Sequence, residues 1–132
     1  MLRQILKSKI HRATVTQSDL NYVGSLTLGY SLAEASDILP NELVHITNIN
    51  TGTHWVTYVI HDNENPRSLC LNGTAARHFH PGDLVIVMAY GQFTPEEIQQ
   101  GLHPRLVYVD AHNNIVRVMA GETPFAFGPP TE

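Results

Sequence analysis

This chain has little with which to staple or anchor itself. Cys70 is its single cysteine, so no internal disulfide can form, and within the alternating stretch SLCLN it reads as a small buried hydrophobe in a protein of a reducing compartment. Charged residues make up only 15% of the sequence and leave a formal net charge of -4, which provides no basic field for a phosphate backbone and argues against nucleic acid as partner. No apolar run approaches the roughly 20 residues of a membrane-spanning helix. The start, MLRQILKSKIHR, breaks its apolar residues with charges, so the expectation is a soluble, unexported, cytoplasmic protein without a membrane partner.

What is present suits a small folded unit. A length of 132 residues with 42% hydrophobic residues bounds the chain to one domain able to bury a core of its own. Period-two alternation or compact β-branched runs occur in KIHRATVTQ, ELVHITNI, HWVTYVIH, SLCLN, DLVIVMAY, RLVYVD and IVRVMA, each bounded by Gly, Pro, Asn or Asp. The turns INTGTH, DNENPRS, HPGD and DAHNN predict short reversals rather than long crossovers, hence a mainly β fold and a small barrel. Two short helices are marked by their starts: Ser31 with Glu34 three residues on, and Thr94 followed by Pro95 and Glu97. The ending GETPFAFGPPTE is expected to be a loose tail over 121–132, pinned at most through Phe125 and Phe127, with the single domain spanning 1–120.

Eight histidines raise the question of a metal. His78 and His80 in RHFHPGD could share one side of an extended segment, but no third ligand stands at a motif spacing, so no metal is expected. His11, His45, His54 and His61 alternate with apolar neighbours and read as hydrogen-bonded or solvent-facing strand residues. NGTAAR, residues 72–77, joins a strand to a turn whose small residues let backbone N–H groups approach a ligand closely.

The stretch NYVGSLTL, residues 21–28, poses a sharper question, because a Gly-Ser pair interrupts a strand-like run. Gly24 permits bent dihedrals that a side chain forbids, and a bend there lets the Ser25 hydroxyl attack the Gly24 carbonyl. The amide becomes an ester, loss of the Ser25 Cα proton expels the Gly24 carboxylate, and hydrolysis of the dehydroalanine left behind yields a pyruvoyl group. A lone Gly-Ser pair is far more often an ordinary bend or bulge followed by a polar strand residue, and by itself decides nothing.

The segments KIHRATVTQSDLNYVGS, TGTHWVTY and LNGTAA, in this order and spacing, resemble the aspartate 1-decarboxylase family over about residues 1–120. The resemblance implies a double-psi β-barrel, a homotetramer with active sites between subunits, and a proenzyme cut between Gly24 and Ser25, with a maturation factor as a further conceivable partner. It makes Ser25 the precursor of a covalent pyruvoyl cofactor, with neither metal nor pyridoxal phosphate. The pyruvoyl ketone forms a Schiff base with L-aspartate and accepts the electrons released with carbon dioxide, giving β-alanine for pantothenate and coenzyme A.

The same resemblance assigns the neighbouring roles. Tyr58 matches the proton donor, a phenol whose O–H can return a proton to the substrate carbon. Thr57 and Asn72 match the groups that polarise the Gly24 carbonyl during cleavage, with Tyr22 and His11 nearby. Gly73, Thr74 and Ala75 match the backbone that contacts substrate, together with Thr57, and Lys9 and His54 match the positions that face its carboxylates. Three positions depart from the family pattern: Thr74 stands where Ala is usual, Gly29 where an acidic residue is common, which is expected to loosen the strand-to-helix corner, and His54 where Arg is normal. A His offers at most one donor to a carboxylate and lacks the bidentate grip of a guanidinium. Compensation by Lys9 or Arg12, weaker affinity for aspartate, or another acidic amino acid as substrate all follow from that change. An uncleaved, non-catalytic barrel binding through NGTAA is the reading from another class.

Overall fold

Alternating side chains become strands wherever one face can be buried. Among the described residues, 1–22 and 24–122 of the computed structural model, nine strands form. They are β1 (Arg3–Thr14), β2 (Gln17–Asp19), β3 (Ser25–Gly29), β4 (Leu43–Asn48), β5 (His54–Asp62), β6 (Leu69–Asn72), β7 (Leu84–Phe93), β8 (Arg105–Val109) and β9 (Ile115–Ala120). All belong to one sheet, ordered β2-β6-β3-β5-β4-β7-β1-β8-β9. This is the mainly β architecture expected from the sequence and is consistent with a small β-barrel. The expected tail segment beyond Glu122, with Phe125 and Phe127, lies outside the described residues.

The connections are more complex than a run of short reversals. β4–β5 and β8–β9 pair antiparallel as chain neighbours, but β1–β8, β2–β6 and β3–β5 pair in parallel between strands distant in sequence. Turn residues dictate only local reversals; which distant edges meet is decided by burial of the apolar face. That face gathers Ile10, Leu26, Val44, Ile46, Val59, Leu71 and Val87, all fully buried, with Leu32 of α1 (Tyr30–Ser36) and Phe79 packed among them. Each such side chain contributes about 1.5–3 kcal/mol by leaving water.

The two predicted helices form, one with the predicted start. At α2 (Pro95–Gln99) the Thr94 hydroxyl accepts from Glu97 N–H while the Glu97 carboxylate accepts from Thr94 N–H, a complete capping box. At α1 the expectation fails: the N-cap is Gly29, no side chain caps the helix, and Ser31 lies inside it. Backbone from the 65–68 turn takes over that role, since Tyr30 N–H donates to Asn65 O and Ser31 N–H to Pro66 O.

Gly29 does not loosen this corner. Its N–H donates to Ser68 O at 2.7 Å, and a Cβ there would lie 2.5 Å from the Pro66 carbonyl carbon and oxygen. Asp62, whose carboxylate accepts from Ser68, Asn65 and Glu64, holds the 62–68 turn against that glycine. Gly29→Ala is therefore expected to destabilise the protein by about 1–3 kcal/mol through overpacking against rigid backbone. Urea unfolding measures this, and an unchanged midpoint would show that the turn yields freely.

Candidate active site

The strand β3 begins at Ser25 itself, so the Gly-Ser pair marks the entry to a strand rather than a break within one. Ser25 pairs with Asn72 of β6, and one residue further on Leu26 pairs with Leu71 and, in parallel, with Val59 of β5. Leu26, Leu71 and Val59 face the core. Alternation therefore puts Ser25, Thr27, Asn72 and Tyr58 together on the other face of these three strands. Ser25 is nonetheless only 1% exposed.

The side chains confirm this placement. Asn72 Nδ2 donates to Thr27 Oγ1 at 2.8 Å and lies 3.4 Å from Ser25 Oγ, the first a firm hydrogen bond and the second a stretched one. Thr27, two residues along the same strand face as Ser25, thereby fixes the amide whose other contact is the Ser25 hydroxyl. Thr57 sits on the core-side face of β5 with Val59, opposite Tyr58, which is 39% exposed.

Gly24 and Gly73 meet back to back. Gly73 opens the 3-10 turn Gly73–Arg77 with φ +69°, a left-handed conformation that favours glycine. A Cβ on Gly73 would lie 2.8 Å from Gly24 Cα, 3.1 Å from Gly24 N and 3.4 Å from Tyr22 O. The first of the NGTAA small residues is thus required by the chain carrying the Gly24–Ser25 bond. Ala75 is buried beneath the turn, while Thr74 and Tyr22 are exposed.

The same outer face continues across the sheet. Lys9 pairs with Met88, Met88 with His45 and His45 with Val56, forming one row over β1, β7, β4 and β5. His54 and Tyr58 flank Val56 on that face, and His11 lies two residues beyond Lys9. Lys9 Nζ reaches Glu122 Oε1 at 2.7 Å. His11 packs edge-on against Tyr108 with ring centres 5.5 Å apart, and its Nδ1 is buried without a hydrogen-bond partner among the described residues. Burial first, then the Lys9 and Arg12 charges, lower the His11 pKa, with Glu122 opposing.

Within the one chain the expected residues, apart from Thr57 on the core-side face of β5, thus fall into two groups. Tyr22, Gly24, Ser25, Asn72, Gly73, Thr74 and Ala75 gather around the β3–β6 junction, and Tyr58 joins them by strand register. Lys9, His11 and His54 lie further along the sheet, where β4 and β7 separate β1 from β5. A separate groove of about 1050 Å³, lined by Thr14–Gln17, the 62–68 turn and residues 111–114, lies toward the far end of β6 from Asn72. Its Asp62 carboxylate is held well below the usual carboxylate range by hydrogen bonds from Ser68 and Asn65, so its polar groups serve the turn.

Comparison with known proteins gives the family. The chain matches the aspartate decarboxylase family over residues 1–116. The aspartate 1-decarboxylase of Caldicellulosiruptor saccharolyticus is 51% identical over 118 residues, 89% of this chain and 91% of that protein. That of Acetivibrio thermocellus is 46% identical over 122 residues, 92% of this chain and 96% of the relative. That of Listeria monocytogenes is 47% identical over 122 residues, covering 92% and 95%. A mainly β enzyme fold with a serine seated behind a paired-glycine contact is the class this chain represents. It belongs to the aspartate decarboxylase family, whose members are carboxy-lyases.

Three participants escaped the sequence reading. Thr27 is signalled only by its i, i+2 relation to Ser25, His45 looked like any alternating strand histidine, and Glu122 lies in the segment read as tail. No helix among the described residues is long and apolar enough to cross a membrane, and no group of three metal-ligating side chains occurs among them. Because the folded pKa of His11 lies below its ordinary 6.5, its protonation opposes folding. The stability tied to its neutral form is present above pH 6.5 and falls as pH drops through the folded value. NMR titration is expected to place His11 below 6.5, and a midpoint at or above that value would contradict its burial.

Proposed function

We propose that the protein is a pyruvoyl-dependent aspartate 1-decarboxylase that releases carbon dioxide from L-aspartate and yields β-alanine for pantothenate and coenzyme A. The observation that supports this most is the seat of the Gly24–Ser25 bond, a buried serine whose hydroxyl meets the Asn72 amide and whose preceding glycine lies against Gly73. In self-processing, Ser25 Oγ bonds to the Gly24 carbonyl carbon and the amide C–N bond breaks as the Ser25 nitrogen takes a proton. The ester then eliminates the Gly24 carboxylate as Ser25 Cα loses its proton. Water replaces the nitrogen of the resulting dehydroalanine, releasing ammonia and leaving a pyruvoyl group on the chain that starts at position 25.

The Asn72 amide, beside Ser25, suits the oxygen that gains negative charge during this attack, whereas Thr57 turns to the other face of β5 within this chain. The Asn72 donor and the absence of a Cβ at position 73 fit such a group. Once formed, the pyruvoyl group supplies an electron-accepting carbonyl beside the bond to be broken. The chain's own residues do the rest. Tyr58, on the Ser25 face, returns a proton to the substrate carbon. Lys9 and His54 hold the substrate carboxylates, a role for which Lys9 is suited since it already grips the Glu122 carboxylate. Gly73, Thr74 and Ala75 let backbone approach the substrate.

The active enzyme is read as a cytoplasmic homotetramer with a single domain over 1–120 and sites between copies. Leu43 and Val56, 54% and 47% exposed, crowd the site face with Tyr58 and Tyr90, an apolar surface suited to cover by a second copy. His54 in place of a guanidinium favours one secondary reading, the same chemistry on another acidic amino acid, which turnover of glutamate or cysteate against aspartate decides.

Two outcomes test the proposal. Ser25→Ala is expected to abolish β-alanine formation, and Tyr58→Phe to slow it by about 10²–10⁴-fold while leaving cleavage intact; full turnover by the Ser25 variant would refute the pyruvoyl chemistry. Gly73→Ala is expected to leave a folded β protein by circular dichroism that stays a single uncut chain. Normal cutting of that variant would show that the glycine contact does not govern the reaction.

A further inference from the structure

The outer face carries a contact that no assigned role explains. His45 Nδ1 and His54 Nε2 are 3.0 Å apart, a hydrogen bond between two imidazoles. Their rings lie 5.1 Å apart and tilted at 40°, which suits an in-line nitrogen contact better than stacking. The His45 ring is itself held: Tyr90 packs edge-on against it at 5.3 Å and 83°, and the Tyr90 hydroxyl reaches Met88 Sδ at 3.7 Å. Met88 in turn pairs with both His45 and Lys9 across the sheet. His45 is thus a braced ring aimed at one nitrogen of His54.

The chemistry of imidazole gives this contact a consequence. A neutral histidine has one N–H and one lone pair, and the hydrogen bond made by one nitrogen determines what the other presents. If His45 Nδ1–H donates to His54 Nε2, neutral His54 carries its proton on Nδ1. If His54 is protonated, Nε2–H donates to His45 and Nδ1–H again remains. Only the reverse neutral pair, with His54 Nε2–H donating, leaves a lone pair on Nδ1, and a carboxylate repels that lone pair.

We propose that His45 is a positioning residue for His54: by engaging Nε2 it leaves Nδ1–H as the donor that His54 presents to a substrate carboxylate. This rests on the reading of His54 as a carboxylate anchor. The His45–His54 pair then does in two residues part of what one guanidinium does elsewhere, one imidazole orienting and the other binding. The single remaining donor gives a monodentate grip, and Lys9, in the same cross-strand row, supplies the full charge.

The test uses three variants of the whole protein. His45→Phe keeps a ring against Tyr90 and removes the nitrogen, His45→Asn restores a polar atom where Nδ1 stood, and His54→Ala removes the anchor. His45→Phe is expected to raise KM for aspartate about threefold to tenfold, the loss of one hydrogen bond, with kcat within about twofold, and His45→Asn to recover most of it. Independently of turnover, the ¹⁵N shifts of the His54 imidazole are expected to show an Nδ1–H tautomer in the parent protein and a move toward Nε2–H in His45→Phe. An unchanged His54 tautomer, or an unchanged KM in His45→Phe beside a raised KM in His54→Ala, overturns the positioning role and leaves the anchor standing. An unchanged KM in His54→Ala overturns the anchor and the inference with it.

Discussion

The site depends on the close approach of two glycine backbones. Gly73 can lie against Gly24 only because it carries no Cβ, and it reaches that place only because φ +69° is open to it. From this contact follow the start of β3 at Ser25, the antiparallel pairing of Ser25 with Asn72, and the position of the 3-10 turn whose backbone borders the site. A methyl group on Gly73 would push the two segments apart, whereas a Cβ on Gly24 would come no nearer than 3.9 Å to its nearest neighbour, Asn72 O. The adjoining pair of hydroxyls, Ser25 and Thr27, then shares one amide, so the reactive group is held without being fully occupied.

Alternation distributes the remaining parts. The strands β4 to β7 turn alternate residues to the core, and the opposite set continues the face that holds Ser25 through Tyr58, His54, His45 and Met88 to Lys9. The residues proposed as proton donor, carboxylate anchors and cleavage site share a face because of that alternation. The side chains on that face, Leu43, Val56, Tyr58 and Tyr90, are exposed. The Glu122 carboxylate on Lys9 and the His11 Nδ1, which has no hydrogen-bond partner among the described residues, lie at the other end of the face.

Much of this was legible in the sequence, for reasons that differ by residue. The strands of HWVTYVIH and DLVIVMAY, the capping box at Thr94 and the small residues of NGTAA follow from local rules, and the structure bears them out. The family resemblance brought the site residues, and their gathering at the β3–β6 junction needed the fold. What failed was non-local. Ser31 has the pattern of a cap, yet the 65–68 turn arrives to satisfy the first N–H groups of α1, so the helix starts earlier, at Tyr30 with Gly29 as its N-cap. Gly29 looked like a weakness and is a packing requirement set by Pro66. The parallel pairing of β3 with β5, which brings Tyr58 level with Ser25, joins strands with no turn between them to announce it. His45 carries no signal until the sheet sets it beside His54.

The measurement that tests the central claim most directly is the denatured intact mass of the freshly purified protein. If the Gly24–Ser25 bond is seated for self-cleavage, two fragments separate between positions 24 and 25, and the larger lacks the Ser25 nitrogen and begins with a pyruvoyl group. A single species of 14.7 kDa that persists on prolonged warming would contradict the account and favour a barrel that binds without cutting itself.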